Sequence, residues 1–222
     1  MQQDQITGYS EKLQIEKRYV TVTTKETLLE MVEAIEEASR ISLDTETTSL
    51  NPRKGKIIGF SITTKIGTGF YLPTLKWNNY TQKLEELLIE GKSTHNIAVR
   101  VMKMLKGKKL ICHNASFDLR YIKNYYGVSL IEDLWVDTAL LVHTVQEEGA
   151  GMGVFGLKPL AVSIQEHIGL NVEEAANKEQ VELKESIKKN GGSTTKDSFE
   201  IYKADMEILS KYAAADTDLT LR

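Results

Sequence analysis

The chain has 222 residues, of which 41% are hydrophobic and 27% are charged, so it can bury one substantial core, and no apolar run reaches the roughly 20 residues of a membrane span. The single cysteine, Cys112, excludes an internal disulfide, and the polar segment 1–18 lacks the apolar core of a secretory signal peptide, so we expect a cytoplasmic protein. The net charge of −3 does not favour a nucleic-acid partner, although it allows local basic patches; we interpret the four lysines within 103–109 as a solvated helix end.

The first predicted elements are a strand and a helix that follow an N-terminal tail over 1–18. The segment Tyr19–Val22 is rich in β-branched residues and predicts the strand. Thr23 and Glu26 have the spacing of a capping box, which predicts a helix that continues to Ser39.

A second strand begins at Arg40, and its alternation gives it two faces. One face carries Ile41, Leu43 and Thr45, and the other carries Ser42, Asp44 and Glu46. The segments 56–64 and 68–73 are rich in Ile, Phe and Tyr, with Gly67 between them, and they predict an antiparallel hairpin beside this strand.

The rest of the chain alternates between helix and strand before a polar segment and a final helix. We predict helices over 80–90 and 93–105, a strand over 110–113, a helix over 116–126, a strand over 135–136, helices over 137–145 and 157–168, and a flexible loop over 149–156. The segment 171–198 is too polar to add much to a core, so we interpret it as a surface excursion with a mobile Gly-rich tip. The final helix begins at about Tyr202.

The first group of chemically suggestive residues is Asp44-Thr45-Glu46 on the second strand. Two carboxylates at positions i and i+2 lie on one face, as a shared divalent cation would require. A solvent-facing strand surface is the alternative. The apolar residues Ile41 and Leu43 and the neighbouring apolar strands count against it, because an interior strand rarely carries charge without a partner.

The second group is His113-Asn114-Ala115-Ser116-Phe117-Asp118, where a buried strand is followed by a helix. Asn114 could cap this helix or hold a carboxylate. Asp118 lies one turn into the helix beside the sheet, and structural and metal-binding roles both stay open for it.

The third group is Tyr212-Ala213-Ala214-Ala215-Asp216 in the final helix, where positions i and i+4 share one face. The three alanines keep the helix slim enough to lie close to a sheet. A phenol one turn before a carboxylate can hold a water beside a metal. An ordinary Tyr on an amphipathic helix is the alternative, and only the spacing selects Asp216 over Asp218.

Together the three groups would bring four carboxylates to one place with no basic residue among them, and bound cations would relieve their repulsion. The motifs DTETTSL, NASFD and YAAAD resemble the three exonuclease motifs of the DEDD superfamily, in the subgroup whose third motif is Tyr-x-x-x-Asp. The contexts WVDT at 135–138 and GLKPLA at 156–161 are similar to the proofreading domain of family A DNA polymerases. The resemblance implies an α/β, ribonuclease-H-like fold over 19–222, with a mixed five-stranded sheet flanked by helices.

The resemblance also implies a role for each matching residue. The metal-binding carboxylates are Asp44, Glu46, Asp118 and Asp216, with Asp44 bridging two Mg²⁺ or Mn²⁺ ions that drive hydrolysis. Tyr212 orients the attacking water, and Thr45, Leu50 and Asn114 contact the substrate, with Leu50 wedged against the terminal base. The related subgroup has a histidine five residues before the last aspartate, where this chain has Lys211. We therefore expect His95, His113, His143 and His167 to be structural or solvent-exposed. For Asp137 we expect a role in supporting the site residues or in capping a helix.

The implied activity is 3′-5′ removal of 5′-mononucleotides from a single-stranded DNA 3′ end, with a DNA polymerase domain in cis or in trans as partner. The chain ends six residues after Asp216, where a polymerase segment would begin. The segment 171–203 is longer than a minimal domain needs and is interpreted as a surface insertion. An RNA-trimming exonuclease like ribonuclease D and a silent module that binds strand ends or a polymerase are the alternatives.

Overall fold

The computed structural model describes residues 17–145, 155–164 and 172–222. The strands are β1 (Arg18–Thr21), β2 (Arg40–Thr47), β3 (Ile57–Thr63), β4 (Thr68–Pro73), β5 (Leu75–Asn78), β6 (Lys83–Glu86), β7 (Leu88–Ile89), β8 (Lys92–Ser93), β9 (Lys109–Cys112) and β10 (Leu134–Asp137). The helices are α1 (Lys25–Glu37), α2 (Thr94–Met104), α3 (Ala115–Tyr126), α4 (Thr138–Val145), α5 (Leu157–Ser163), α6 (Val172–Lys189) and α7 (Met206–Leu221), with short 3₁₀ turns at Ile131–Asp133 and Ile201–Lys203. No helix in these ranges has the length and apolar character needed to span a membrane.

A mixed six-stranded sheet organises these elements in the order β1-β4-β3-β2-β9-β10. Strand β3 is antiparallel to both of its neighbours, β4 and β2. Strand β1 is parallel to β4. At the other end of the sheet, β2, β9 and β10 run parallel to one another. The predicted α/β class and mixed sheet are confirmed, and all six strands predicted from the sequence pattern lie in this sheet. The resemblance implied five strands, and the described sheet has one more.

The sheet buries a large apolar core on the face that carries Ile41 and Leu43. The pairing of β2 with β3 and of β3 with β4 aligns alternate residues of all three strands on this face. Helices α1, α2 and α3 cover it with Met31, Met102 and Ile122, each fully buried. Cys112 belongs to the same core and is a free, buried thiol, as expected.

The opposite face of the sheet is lined by small residues and is covered by α7. Ser42, Ser61 and Thr63 are fully buried there, because α7 packs across the four strands from β1 to β2. A side chain at Gly69 would place a Cβ 2.9 Å from the Cβ of Ala214, which leaves room only for glycine. The predicted close approach of the alanine-rich helix is confirmed, since Ala213, Ala214 and Ala215 are all buried.

The predicted helix over 80–90 is wrong, because this segment contributes β6 and β7 to two small hairpins, β5–β6 and β7–β8. The turn between β5 and β6 is made by Asn78, whose side-chain oxygen accepts hydrogen bonds from the backbone N–H of Tyr80 (2.8 Å) and Thr81 (3.1 Å). This local bond offers the backbone an alternative to a helix. Gln82 then adopts a positive φ of 52°, which closes the turn.

The start of α1 also differs from the prediction. Thr24, one residue after the expected Thr23, caps the helix by accepting a hydrogen bond from the backbone N–H of Thr27. The side chain of Thr27, rather than Glu26, completes the reciprocal capping box. The helix ends at Glu37, two residues before the predicted end.

The prediction that 171–198 adds little to a core is wrong for α6. Leu183 and Ile187 lie one turn apart on this helix, are fully buried, and pack with Tyr71 and Leu209 in a second apolar cluster. Burying each of these side chains stabilises the fold by about 1.5–3 kcal/mol. A further difference concerns the start of the last helix, since α7 begins at Met206 rather than at Tyr202. The tail up to residue 16, most of the predicted loop over 149–156 and the end of the predicted helix over 157–168 lie outside the described residues.

Candidate active site

The carboxyl end of β2 extends beyond its neighbour in the sheet. The parallel pairing of β2 with β9 ends at Ser42 and Ile111, while β2 continues to Thr47. Asp44 and Glu46 therefore lie past the end of β9, on the face that α7 covers, opposite Ser61 and Gly59 of β3. The predicted alternation of these two carboxylates is confirmed.

Asp118 approaches this end of β2 from the first turn of α3. It is only 2% exposed. Its Oδ1 accepts hydrogen bonds from the backbone N–H (2.9 Å) and the hydroxyl (2.5 Å) of Thr45. Thr45 is itself buried, so its hydroxyl fixes the orientation of Asp118.

The third group reaches the same place from α7. Asp216 is close enough to Glu46 and Asp44 for its charge to raise the pKa of both carboxyls. The charges of Asp216, Glu46 and Asp44 in turn add to burial in raising the pKa of the Tyr212 phenol above its ordinary value. The four predicted carboxylates and Tyr212 therefore form one electrostatic cluster.

A lysine lies within this cluster, so the prediction that no basic residue is present is wrong. The Nζ of Lys158, on α5, is 3.1 Å from Oδ1 of Asp216, and the two side chains are 13% and 14% exposed. The same Nζ lies 3.5 Å from the centroid of the Tyr212 ring, in a cation–π contact. Lys158 is part of the GLKPLA segment used for the resemblance, which is the one sequence signal that marks it.

Burial raises the pKa of all four carboxyls, and repulsion by other carboxylates of the cluster adds to the rise for Asp44 and Glu46. Burial raises the pKa of Glu46 to about 8, with a further rise from Asp216. Burial also raises the pKa of Asp118 to about 7, although its hydrogen bonds from Thr45 oppose the rise. The pKa of Asp44 lies well above its ordinary range because of burial and then Asp118, and that of Asp216 is raised by burial and lowered in part by Lys158. A site of this kind favours a bound cation over ionised, unpaired carboxylates.

The donor set suits a hard divalent cation. Carboxylate oxygens are the ligands that Mg²⁺ and Mn²⁺ prefer. Oδ1 of Asp216 is buried, and its close partner is the ammonium group of Lys158 at 3.1 Å, so a cation already lies where this oxygen would hold an ion. In the parts of the chain that the structure describes, no three His, Cys, Asp or Glu side chains are already arranged around one point, so ion binding would have to draw the carboxylates together.

Asn114 does not cap α3 with its side chain, which corrects the capping role predicted for it. Its backbone is left-handed, with φ of 63°. Asp137 caps the helix instead: its oxygens accept hydrogen bonds from the backbone N–H of Asn114 (2.9 Å) and Ala115 (2.8 Å). The same carboxylate accepts from the N–H of Ala139 (3.0 Å) in α4, so the capping role expected for Asp137 is confirmed.

The remaining predicted residues lie around this cluster. Leu50 is 86% exposed in the loop after β2, and its contact with a terminal base stays a prediction. His113 bonds to Thr138 through Nδ1 (2.8 Å) and to the carbonyl oxygen of Phe155 through Nε2 (2.9 Å), which is a structural role. His95 packs against Tyr125 and Tyr126, and His143 stacks on Phe155. His167 lies outside the described residues.

Sequence reasoning also missed Tyr71, a fully buried residue of β4. A Cβ on Gly59, the partner of Glu46 in β3, would be 2.3 Å from the Tyr71 hydroxyl, so the phenol fills the space that glycine leaves. Burial, and then the charge of Glu46, raise the pKa of Tyr71 well above its ordinary value. No local pattern distinguishes this tyrosine, because its position depends on pairing across three strands.

Comparison with known proteins assigns a family to this fold and site. The model of the 3′-5′ exonuclease family of the DNA polymerase A type matches residues 19–222. DNA polymerase I of Borreliella burgdorferi is 33% identical over 110 residues, and that of Rhizobium leguminosarum is 25% identical over 217 residues; these matches cover 48% and 92% of this chain. They span only 11% and 19% of the two polymerases.

A solved structure has the same fold. The complex of Trypanosoma brucei RNase D with RNA U12 is 15% identical, has a TM-score of 0.60, and is matched over 93% of this chain and 61% of that one. Identity at this level shows the fold alone, whereas the family match covers nearly all of the sequence. Over residues 19–222, the chain belongs to the 3′-5′ exonuclease family of the DNA polymerase A type.

Proposed function

We propose that this domain removes 5′-mononucleotides one at a time from the 3′ end of DNA, as the proofreading part of a DNA polymerase. The observation that carries the proposal is the gathering of Asp44, Glu46, Asp118 and Asp216 at the carboxyl end of β2, buried and with raised pKa values. A module that only binds strand ends would gain nothing from four buried carboxylates, whose mutual repulsion destabilises the fold.

The proposed chemistry is hydrolysis assisted by two divalent cations, Mg²⁺ or Mn²⁺. When bound, such ions supply an activated water and stabilise the leaving 3′ oxygen. Asp44, Glu46, Asp118 and Asp216 would hold them, with Asp44 shared. Thr45 contributes by keeping Asp118 in one orientation through its two hydrogen bonds.

Tyr212 acts in this scheme as a neutral phenol that positions the attacking water. Burial and the charge of Asp216 raise its pKa above the ordinary value of about 10, so the hydroxyl keeps its proton at neutral pH. A protonated phenol is a poor general base but can donate and accept hydrogen bonds. Its role is therefore orientation rather than proton abstraction.

DNA is preferred over RNA as the substrate because the curated relatives are DNA polymerases, one of them 33% identical over half of the chain. The likeness to RNase D supports only the shared fold. A polymerase domain, in the same chain or in a separate one, would then supply the mispaired 3′ end.

The test is digestion of end-labelled single-stranded DNA and RNA of one sequence, side by side, with Mg²⁺, with Mn²⁺ and with excess EDTA. We expect 5′-mononucleotides from DNA with either metal and none in EDTA. The Asp44→Ala variant should lose most activity, whereas the matched control Asp197→Ala, at an exposed position, should keep it. Undiminished cleavage in EDTA contradicts the mechanism, faster cleavage of RNA contradicts the substrate, and binding without cleavage of either strand supports the silent module.

A further inference from the structure

Lys158, which lies outside the three carboxylate motifs, contacts both Tyr212 and Asp216 of the third motif. Its Nζ lies 3.1 Å from Oδ1 of Asp216 and 3.5 Å from the ring centroid of Tyr212. The Nζ is buried and makes no hydrogen bond of good geometry, so its partners are the charge of Asp216 and the ring face of Tyr212. This arrangement differs from an ordinary surface ion pair, in which water screens both groups.

We infer that Lys158 is a built-in competitor of the divalent cations: its ammonium group holds Asp216 in the ion-free enzyme and has to leave that oxygen before an ion can bind there. The inference rests on the proposed function, because it concerns the same carboxylate. It assigns a role to a residue that the proposed mechanism does not use.

The competition follows from charge and burial. Oδ1 of Asp216 offers its negative charge to one close cation, and an ammonium group and a divalent ion on the same buried oxygen would repel each other strongly. The ammonium group of a lysine can move away without any movement of α5, because a flexible chain of four methylene groups joins it to the backbone. The ring face of Tyr212 gives the ammonium a second favourable contact beside the carboxylate. Lys158 is thus a positioning residue that keeps Asp216 and Tyr212 together and sets the affinity for ions.

The inference predicts that replacement of Lys158 raises the affinity for metal ions. Replacement of a residue that merely supports the fold weakens metal binding, because the ligands become less well ordered. Replacement of a competing cation strengthens metal binding, because one positive charge no longer has to be displaced. The direction of the change in affinity therefore separates the two roles.

The experiment is calorimetric titration of metal-free protein with Mn²⁺ in the absence of nucleic acid. We expect Lys158→Met to bind Mn²⁺ roughly 3- to 30-fold more tightly than the parent protein, and Lys158→Arg to restore the parental affinity, because it restores the charge. If Lys158→Met does not fold, as judged by its thermal transition, Lys158→Gln is used in the same titration.

The matched control is Lys203→Met. Lys203 is also nearly buried, with 12% exposure, and it also combines an ion pair, to Glu200 at 3.2 Å, with a cation–π contact, to Trp77 at 5.0 Å. Neither of these contacts involves Asp44, Glu46, Asp118 or Asp216, so replacement of Lys203 should leave the affinity for Mn²⁺ unchanged.

The outcomes are distinct. Tighter binding by Lys158→Met alone supports the inference. Binding by the parent protein with equal or weaker binding by Lys158→Met overturns the inference and leaves the proposed function intact. Absence of Mn²⁺ binding in both proteins overturns the inference together with the proposed function. An equal gain in Lys203→Met overturns the inference, since a change in net charge then explains the effect.

Discussion

Asp218 should stabilise the fold without taking part in catalysis, although it lies only two residues after Asp216. It is 1% exposed and accepts hydrogen bonds from the backbone N–H of Gly67 (2.8 Å) and the hydroxyl of Tyr19 (3.0 Å). It also pairs with Arg222 at 3.3 Å, whose side chain is 4% exposed. One carboxylate thus ties together β1, the β3–β4 turn and the end of α7.

Replacement of Asp218 by Ala removes the acceptor for all three partners. The most costly consequence is a buried guanidinium group without a counter-charge, and breaking a buried ion pair in this way costs about 3–5 kcal/mol. In a domain of this length, each kcal/mol lowers the melting temperature by about 2–4 °C. We therefore expect Asp218→Ala to unfold roughly 6–20 °C below the parent protein.

The assay is thermal unfolding followed by circular dichroism, together with nuclease rates measured well below both transitions. The rate per folded molecule should stay within about threefold of the parent, because a surviving fold leaves the predicted metal ligands in place. The double variant Asp218→Ala with Arg222→Met should regain part of the lost stability, because it removes the unpaired charge as well. A melting temperature within about 2 °C of the parent, or an inactive but stably folded protein, would refute this reasoning.

Three further predictions concern the carboxylate cluster and the second apolar cluster. Tyr212→Phe should lower turnover by about one to three orders of magnitude with Mn²⁺ affinity nearly intact, whereas Asp216→Ala should weaken Mn²⁺ binding, as calorimetry can measure. In EDTA, the melting temperature should fall as pH rises from about 4 to 8. The raised pKa values of Glu46 (about 8) and Asp118 (about 7) make the folded state bind more protons than the unfolded state over this range. Addition of Mg²⁺ should reverse the fall. Leu183→Ala should cost about 2–5 kcal/mol of unfolding free energy in urea, because the side chain is fully buried.

Each of these has a control and a contrary result. A Tyr212→Phe enzyme that loses its metal, or that cleaves as fast as the parent, excludes the water-positioning role. A melting temperature in EDTA that rises steadily over the same pH range contradicts the buried, proton-binding carboxyls. Val181→Ala, at a position of α6 that is 54% exposed, should cost less than about 0.5 kcal/mol and provides the comparison for Leu183.

The features that the sequence predicts well are those that depend on local periodicity. The alternation of β2 is a property of neighbouring residues, so the common face of Asp44 and Glu46 and the apolar face of Ile41 and Leu43 are both foreseen. The pairing of Tyr212 with Asp216 follows in the same way from one helical turn. The spacing of such residues along one strand or helix does not depend on how the rest of the chain packs.

The features that it predicts poorly depend on distant contacts or on one side chain. Lys158 meets Asp216 only after α5 and α7 pack at the site, and although the GLKPLA segment marks this lysine, no local spacing predicts the contact. Leu84, Leu87 and Leu88 have a helix-like spacing, but the turn formed by Asn78 makes the segment a hairpin. In α6, Leu183 and Ile187 belong to the second apolar cluster, and the many charged residues of the helix hide this pair in the sequence.

The contact between Gly69 and Ala214 sets the distance between the two halves of the carboxylate cluster. Asp44 and Glu46 belong to the sheet, whereas Asp216 belongs to α7, and the gap between them is fixed where a glycine of β4 meets an alanine of the helix. One added methyl group would lift the helix, and a shift of about 1 Å in a reacting group can slow a reaction roughly 100-fold. The rate of the exonuclease reaction is therefore sensitive to the volume of an uncharged residue that is not among the predicted metal ligands.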